Sequence, residues 1–144
     1  MKIYFACSIR GEQGGKEEKE LIVNTLKELG HEVLSEIFTT LDKDNNHSSK
    51  GTMTPAEVYK WDMNWVRESD VIVADVSRIS TGLGYEIGWK LSSGGKVVAL
   101  CREDKYDDLS NMIKGCTEPN FSLKLWKGME HPEQLKEILL QEIT

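Results

Sequence analysis

No window of this 144-residue chain approaches the ~20 consecutive apolar residues that a membrane-spanning helix needs. Its apolar start, Ile3 to Ala6, is only strand-length and gives way at once to polar residues, so the sequence carries no secretory-leader pattern. Positive charge is not in excess. The net charge is −6, which argues against a nucleic-acid polymer as partner, because such binding needs a basic footprint to displace counterions. Cysteine is scarce: Cys7, Cys101 and Cys116 are odd in number and far apart, so they build neither a disulfide framework nor a metal pattern. His31, His47 and His131 also lack metal spacing, and no metal or cofactor is expected. A reducing, cytoplasmic setting follows from this usage. Asn46 and Asn120 open glycosylation-type tripeptides, read as chance matches in that setting. Internal repeats and interdomain linkers are missing, so residues 1–144 are read as one domain.

What is present alternates. Short apolar runs at Lys2–Ala6, His31–Ser35, Asp70–Asp75, Lys96–Cys101 and Phe121–Trp126 predict five strands. Between them, helical spacing predicts helices over about Lys16–Leu29, from Thr54-Pro55-Ala56-Glu57 to Glu68, over Gly82–Leu91, briefly over Leu109–Ile113, and over Pro132–Ile143. Thr54, Pro55 and Glu57 compose a capping box with proline at the first helical position. Residues 39–53 are polar and aperiodic. Central strands that are apolar almost throughout imply a parallel sheet covered on both faces. The predicted fold class is therefore α/β: a three-layer, doubly wound, flavodoxin-like domain with a five-stranded parallel sheet.

In that architecture ligands sit at the carboxyl edge of the sheet. Three loops reach it: Cys7–Gly15, Val76–Gly84 and Arg102–Ser110. The second is the most informative, because Ser80-Thr81-Gly82-Leu83-Gly84-Tyr85-Glu86 bends with glycine and then delivers a carboxylate about one turn into a helix. Its glycine spacing is not the dinucleotide fingerprint, so a Rossmann cofactor is discounted. Ser8-Ile9-Arg10-Gly11 suits a phosphate, with turn N–H groups, a hydroxyl and a guanidinium fork, although such a loop also serves simply to turn the chain. Asp62 by position alone reads as a solvated helix residue, and Val58, Trp61 and Trp65 as a core stripe. Asp75 ends a strand as a receiver-type phospho-acceptor would, but the acidic pair expected after the first strand is replaced by Cys7-Ser8.

Taken in order, Tyr4-Phe5-Ala6-Cys7-Ser8-Ile9-Arg10-Gly11, Asp62 with Trp65, Asp70–Asp75, Ser80-x-Gly82-x-Gly84-Tyr85-Glu86-Ile87-Gly88 and Leu109-Ser110-x-Met112-Ile113-x-Gly115 resemble the 2′-deoxynucleoside 5′-monophosphate N-hydrolases of the nucleoside 2-deoxyribosyltransferase superfamily. The resemblance spans about residues 2–126 and implies roles. Glu86 matches the nucleophile that attacks the anomeric carbon and forms a glycosyl-enzyme intermediate. Asp62 matches the acid that helps the base depart, and Tyr4 a tyrosine that orients the nucleophile. Ser8, Ile9, Arg10 and Gly11 match the 5′-phosphate loop, with Ser80 as a second phosphate contact. Ser110 matches a serine lent to the neighbouring subunit's site, which implies a homodimer with shared active sites. Gly82, Gly84 and Met112 match the substrate pocket. Cys7 departs from the family, which usually has glycine there. Other readings stay open: a deoxyribosyltransferase exchanging bases, a hydrolase of ribonucleotides, or a non-catalytic nucleotide-binding module.

Overall fold

The computed structural model describes residues 1–9, 14–35 and 53–143. Five strands, β1 (Lys2–Cys7), β2 (Glu32–Leu34), β3 (Val71–Asp75), β4 (Lys96–Arg102) and β5 (Phe121–Trp126), form one sheet in the order β2-β1-β3-β4-β5. Every pairing is parallel, with Ile3 opposite Val71, Val71 opposite Lys96 and Val97 opposite Phe121. The helices are α1 (Lys16–Glu28), α2 (Pro55–Glu68), α3 (Thr81–Ser92), the single turn α4 (Asn111–Lys114) and α5 (Pro132–Glu142). A 3-10 segment, Glu103–Asp108, occupies most of the loop after β4, where no helical turn was predicted before Leu109.

Strand side chains alternate between the two faces of a sheet, and each set meets its own helices. Ile3, Phe5, Val71, Val73, Val98 and Leu100 pack with Ile22, Val23 and Leu26 of α1 and Leu135 and Leu139 of α5. Tyr4, Ala6, Ile72, Ala74, Val97, Ala99 and Cys101 pack with Met63 and Val66 of α2 and Leu83 and Ile87 of α3. All of these are buried, and each large one contributes roughly 1.5–3 kcal/mol. The three-layer, doubly wound α/β fold expected from the alternation is the one observed.

Local signals act where they were read. Thr54 caps α2: its hydroxyl accepts from the Glu57 N–H at 3.2 Å while the Glu57 carboxylate accepts from the Thr54 N–H at 3.1 Å. Gly30, at φ 90°, ends the turn after α1 in a conformation side chains resist. One stripe is displaced. Val58, Trp61 and Trp65 are only half-buried, and the buried residues of α2 are Met63 and Val66. The tryptophans turn off the sheet, stack edge to face at 6.0 Å, and set Trp65 5.7 Å from the Tyr4 ring. Residues 10–13 and 36–52 lie outside the described residues, and with them Arg10, Gly11, His47 and most of the polar 39–53 segment.

Candidate active site

The order β2-β1-β3 puts a topological switch between β1 and β3: the chain leaves β1 for α1 on one face and leaves β3 for α3 on the other. The two departing loops open a crevice at the carboxyl ends of these strands. Ser8 lies at its floor, buried, and its hydroxyl donates to the Ile79 carbonyl at 3.3 Å, tying the first loop to the second. Ile9 and Cys7 pack on the α1-side core, so the cysteine that replaces a glycine is accommodated by apolar neighbours. Next to Ile79, Ser80 caps α3, accepting from the Leu83 N–H at 3.3 Å. A helix N-terminus presents N–H groups and a partial positive charge to an anion. Gly82 and Gly84 stand in that first turn, and among the described residues a Cβ on either would meet nothing within 4 Å, so these two positions are uncrowded.

Glu86 is in the second turn of α3. It follows buried Leu83 by three residues and precedes buried Lys90 by four, which puts it at the margin of the helix's buried stripe, half-exposed. Asp62 precedes buried Val66 by four and is likewise half-exposed on α2. The two acid-bearing helices are fastened together. Tyr59 and Tyr85 share a hydroxyl hydrogen bond of 3.1 Å, which raises the Tyr85 phenol's pKa. Arg67 covers the Trp89 ring at 5.2 Å. The Lys90 ammonium donates to the Val66 and Ser69 carbonyls at 2.8 and 2.6 Å, and burial pulls its pKa down. Tyr4 is buried on this same side of the sheet. The face of the sheet that carries Tyr4 is therefore the one covered by the helices that carry Asp62 and Glu86.

On the other flank of α3 lies a cavity of about 370 Å³. The 76–81 loop, Leu83, Gly84 and Ile87 form one wall, and Lys105, Asp108–Ser110, Met112 and Ile113 the other. It brings Ser80, Gly84, Ser110 and Met112 together; Tyr4, Ser8, Asp62, Gly82 and Glu86 do not line it. Ser110 caps α4 there, accepting from the Met112 N–H at 3.2 Å. Met112 is 82% exposed and Ile79 66%, so large apolar side chains flank the mouth.

Sequence reasoning missed a charged network beneath the first loop. Asp75 is buried at the end of β3; burial pushes its carboxyl pKa up, against the Ser77 N–H at 3.0 Å and the charges of Lys19 and Arg78. Glu18 meets Arg102 at 2.6 Å and Arg78 at 3.5 Å. Asp75 was marked as a strand-end carboxylate, but no pattern marks its neighbours, since Glu18 and Lys19 read as ordinary polar positions of an amphipathic helix. Among the described residues, no three His, Cys, Asp or Glu side chains gather as a metal site, and no helix is long and apolar enough to cross a membrane.

Comparison with known proteins identifies the family. A protein of Thermofilum pendens named as a 2′-deoxynucleoside 5′-phosphate N-hydrolase is 35% identical over 130 residues, 90% of this chain and 88% of that one. A 5-hydroxymethyl-dUMP N-hydrolase of Esox lucius is 32% identical over 142 residues, 99% of this chain and 94% of that one. The solved structure of a CMP N-glycosidase from Clostridium botulinum shares the fold, with a TM-score of 0.65 at 24% identity, covering 98% of this chain and 99% of that one. The family model described as nucleoside 2-deoxyribosyltransferase matches residues 3–126. With this match running from β1 through β5 and across every loop of the crevice, the chain belongs to the nucleoside 2-deoxyribosyltransferase family.

Proposed function

We propose that this protein is an N-glycosidase that hydrolyses 2′-deoxynucleoside 5′-monophosphates, releasing free nucleobase and deoxyribose 5-phosphate. The observation that carries the reading is the placement of Glu86 one turn inside α3, the helix whose open N-terminus adjoins the Ser8–Ile79 floor of the crevice. An anion held at that end of the helix leaves its sugar within reach of a carboxylate further along it. The relatives named as nucleotide N-hydrolases support the same chemistry.

Cleaving an N-glycosidic bond builds positive charge on the sugar. The Glu86 carboxylate bonds to C1′ as the C1′–N bond breaks, and Asp62 gives its proton to the departing base, whose anion is otherwise a poor leaving group. Tyr4 orients Glu86. Water then attacks C1′, loses its proton to the Asp62 carboxylate, and frees Glu86, as in retaining glycosidases. Ser8, Ile9, Arg10, Gly11 and Ser80 hold the 5′-phosphate, so binding energy distant from the reacting bond positions the sugar. Gly82, Gly84 and Met112 shape the pocket, and Ser110 serves the site of a second copy in a homodimer.

The test is chromatography of the four common deoxynucleotides, their ribose counterparts and the parent nucleosides after incubation with the protein. Release of base from deoxynucleotides is expected. Intact nucleotides would overturn the reading, and exchange with an added free base would make the chain a transferase. Arg10→Ala is expected to lower kcat/KM for monophosphates about a hundredfold while parent nucleosides change little. Equal losses on both would remove Arg10 from phosphate binding.

A further inference from the structure

The cavity on the flank of α3 is lined by described residues, none of them from the first loop. Leu83, Ile87, Leu109 and Ile113 give it apolar walls, and Ser80 and Thr81 add hydroxyl-bearing residues at the start of α3. Two cationic residues line it, Arg78 and Lys105. Arg78 is committed elsewhere, since its guanidinium lies 3.5 Å from the Glu18 carboxylate and closes on Gly14 and Gly15. Lys105 is the cation that remains.

Lys105 sits half-buried in the 3-10 segment Glu103–Asp108, where four of the six residues are acidic. Residues three apart line up on such a helix, which makes Asp108 its natural partner. Asp108 also lines the cavity but is exposed. Among the described residues, Lys105 makes no ion pair or hydrogen bond with Asp108 or with any other group. Asp104 of the same segment is taken by Arg102, at 2.9 and 2.6 Å. An ammonium carries three donors, and a charge pair beside apolar walls is stronger than one in open water. With Lys105 on one wall and Ser80 and Thr81 on the other, the cavity suits an anion between them. The positive end of the α3 dipole adds to the same field.

We infer that Lys105 is a further phosphate-binding residue: across this cavity from Ser80, its ammonium holds the 5′-phosphate of the nucleotide and so selects monophosphates over nucleosides. The inference rests on the N-glycosidase reading for the identity of the substrate. It assigns the phosphate end alone, since Glu86 lies outside the cavity. Two substitutions test the charge. Lys105→Gln removes it, and Lys105→Arg keeps it on a side chain of similar reach. Lys114→Gln is the control: Lys114 is close in sequence but does not line the cavity, and its ammonium covers the Tyr106 ring at 4.6 Å and donates to the Asp107 carbonyl at 3.3 Å. A surface charge of that kind is largely screened by salt.

The experiment is calorimetric titration of wild type and the three variants with inorganic phosphate, alongside kcat/KM for a deoxynucleotide and its parent nucleoside. Lys105→Gln is expected to weaken phosphate binding about tenfold, the loss of one charge-assisted contact, while Lys105→Arg and Lys114→Gln stay within about threefold of wild type. The kcat/KM of Lys105→Gln is expected to fall about tenfold for the monophosphate and to hold for the nucleoside. Equal losses on both substrates overturn the inference, as do equal losses in Lys105→Gln and Lys114→Gln. So does unchanged phosphate affinity in Lys105→Gln, or a wild type that binds no phosphate. Weaker phosphate binding with unchanged monophosphate turnover would place the anion of this cavity outside the reaction, and overturns it too. A wild type that binds phosphate but releases no base sinks the N-glycosidase reading, and the titrations still decide whether Lys105 holds phosphate.

Discussion

At the scale of single residues, the groups proposed for chemistry and the groups that shape the edge of the sheet differ in how they show in a sequence. Glu86 and Ser8 stood out because glycine-rich bends flank them, and such bends have few purposes in an α/β chain. Arg78, Glu18 and Lys19 did not, because their significance comes from side chains of a loop and of a helix distant in sequence meeting in space, a fact with no local pattern. Asp75 was visible as a strand-end carboxylate but its burial was not. That burial has a consequence for stability. The folded pKa of Asp75 is raised above its ordinary 3.8, so the folded state holds this proton more tightly than the unfolded chain. Its contribution is most favourable below pH 3.8 and is lost as pH rises through the raised folded value. Asp75→Asn, which can still accept from the Ser77 N–H, is therefore expected to lose that slope: relative to wild type it gains stability between pH 3 and pH 7. Urea denaturation at a series of pH values checks this, and a stability difference that does not vary with pH would contradict it.

At the scale of elements, most of the fold was legible. β5 falls on the predicted Phe121–Trp126, and β1, α1, α3 and α5 fall within one or two residues of their expected ends, because apolar periodicity, caps and glycine stops act locally. What the periodicity could not give was the rotation of α2. Val58, Trp61 and Trp65 formed the obvious stripe, yet Met63 and Val66 face the sheet. Tryptophan is seldom fully buried, and here Trp65 packs at the margin against Tyr4. Lys90 was also unreadable, appearing as one more surface charge of α3 while its ammonium closes the end of α2. Lys90→Met keeps the length and removes the donor, leaving two buried carbonyls without it. The expected loss is about 3 kcal/mol in denaturant unfolding, and because α2 and α3 carry Asp62 and Glu86, a lower kcat at similar KM accompanies it. A variant as stable as wild type would show that solvent replaces the ammonium at no cost.

At the scale of the whole molecule, the exposed Met112 and Ile79 form an apolar rim beside the cavity that Ser80 and Ser110 of one chain line, and the proposal of a homodimer that shares Ser110 is tested there. Shared sites have a strict consequence. Mixed after mild dissociation, inactive Glu86→Gln and impaired Ser110→Ala subunits form hybrids in which one of two sites has both native residues, so activity recovers to about a quarter of wild type. Mixtures no more active than the average of the separate variants would assign Ser110 to its own chain or to no site. All of this depends on a carboxylate of α3 meeting a sugar whose phosphate lies at that helix's open end. The most direct measurement is base release in a single turnover of a deoxynucleoside 5′-monophosphate by wild type and by Glu86→Gln, with matched melting curves. The account predicts a burst of free base from wild type and a rate at least about a thousandfold lower from the variant; comparable release from a folded Glu86→Gln protein would contradict it.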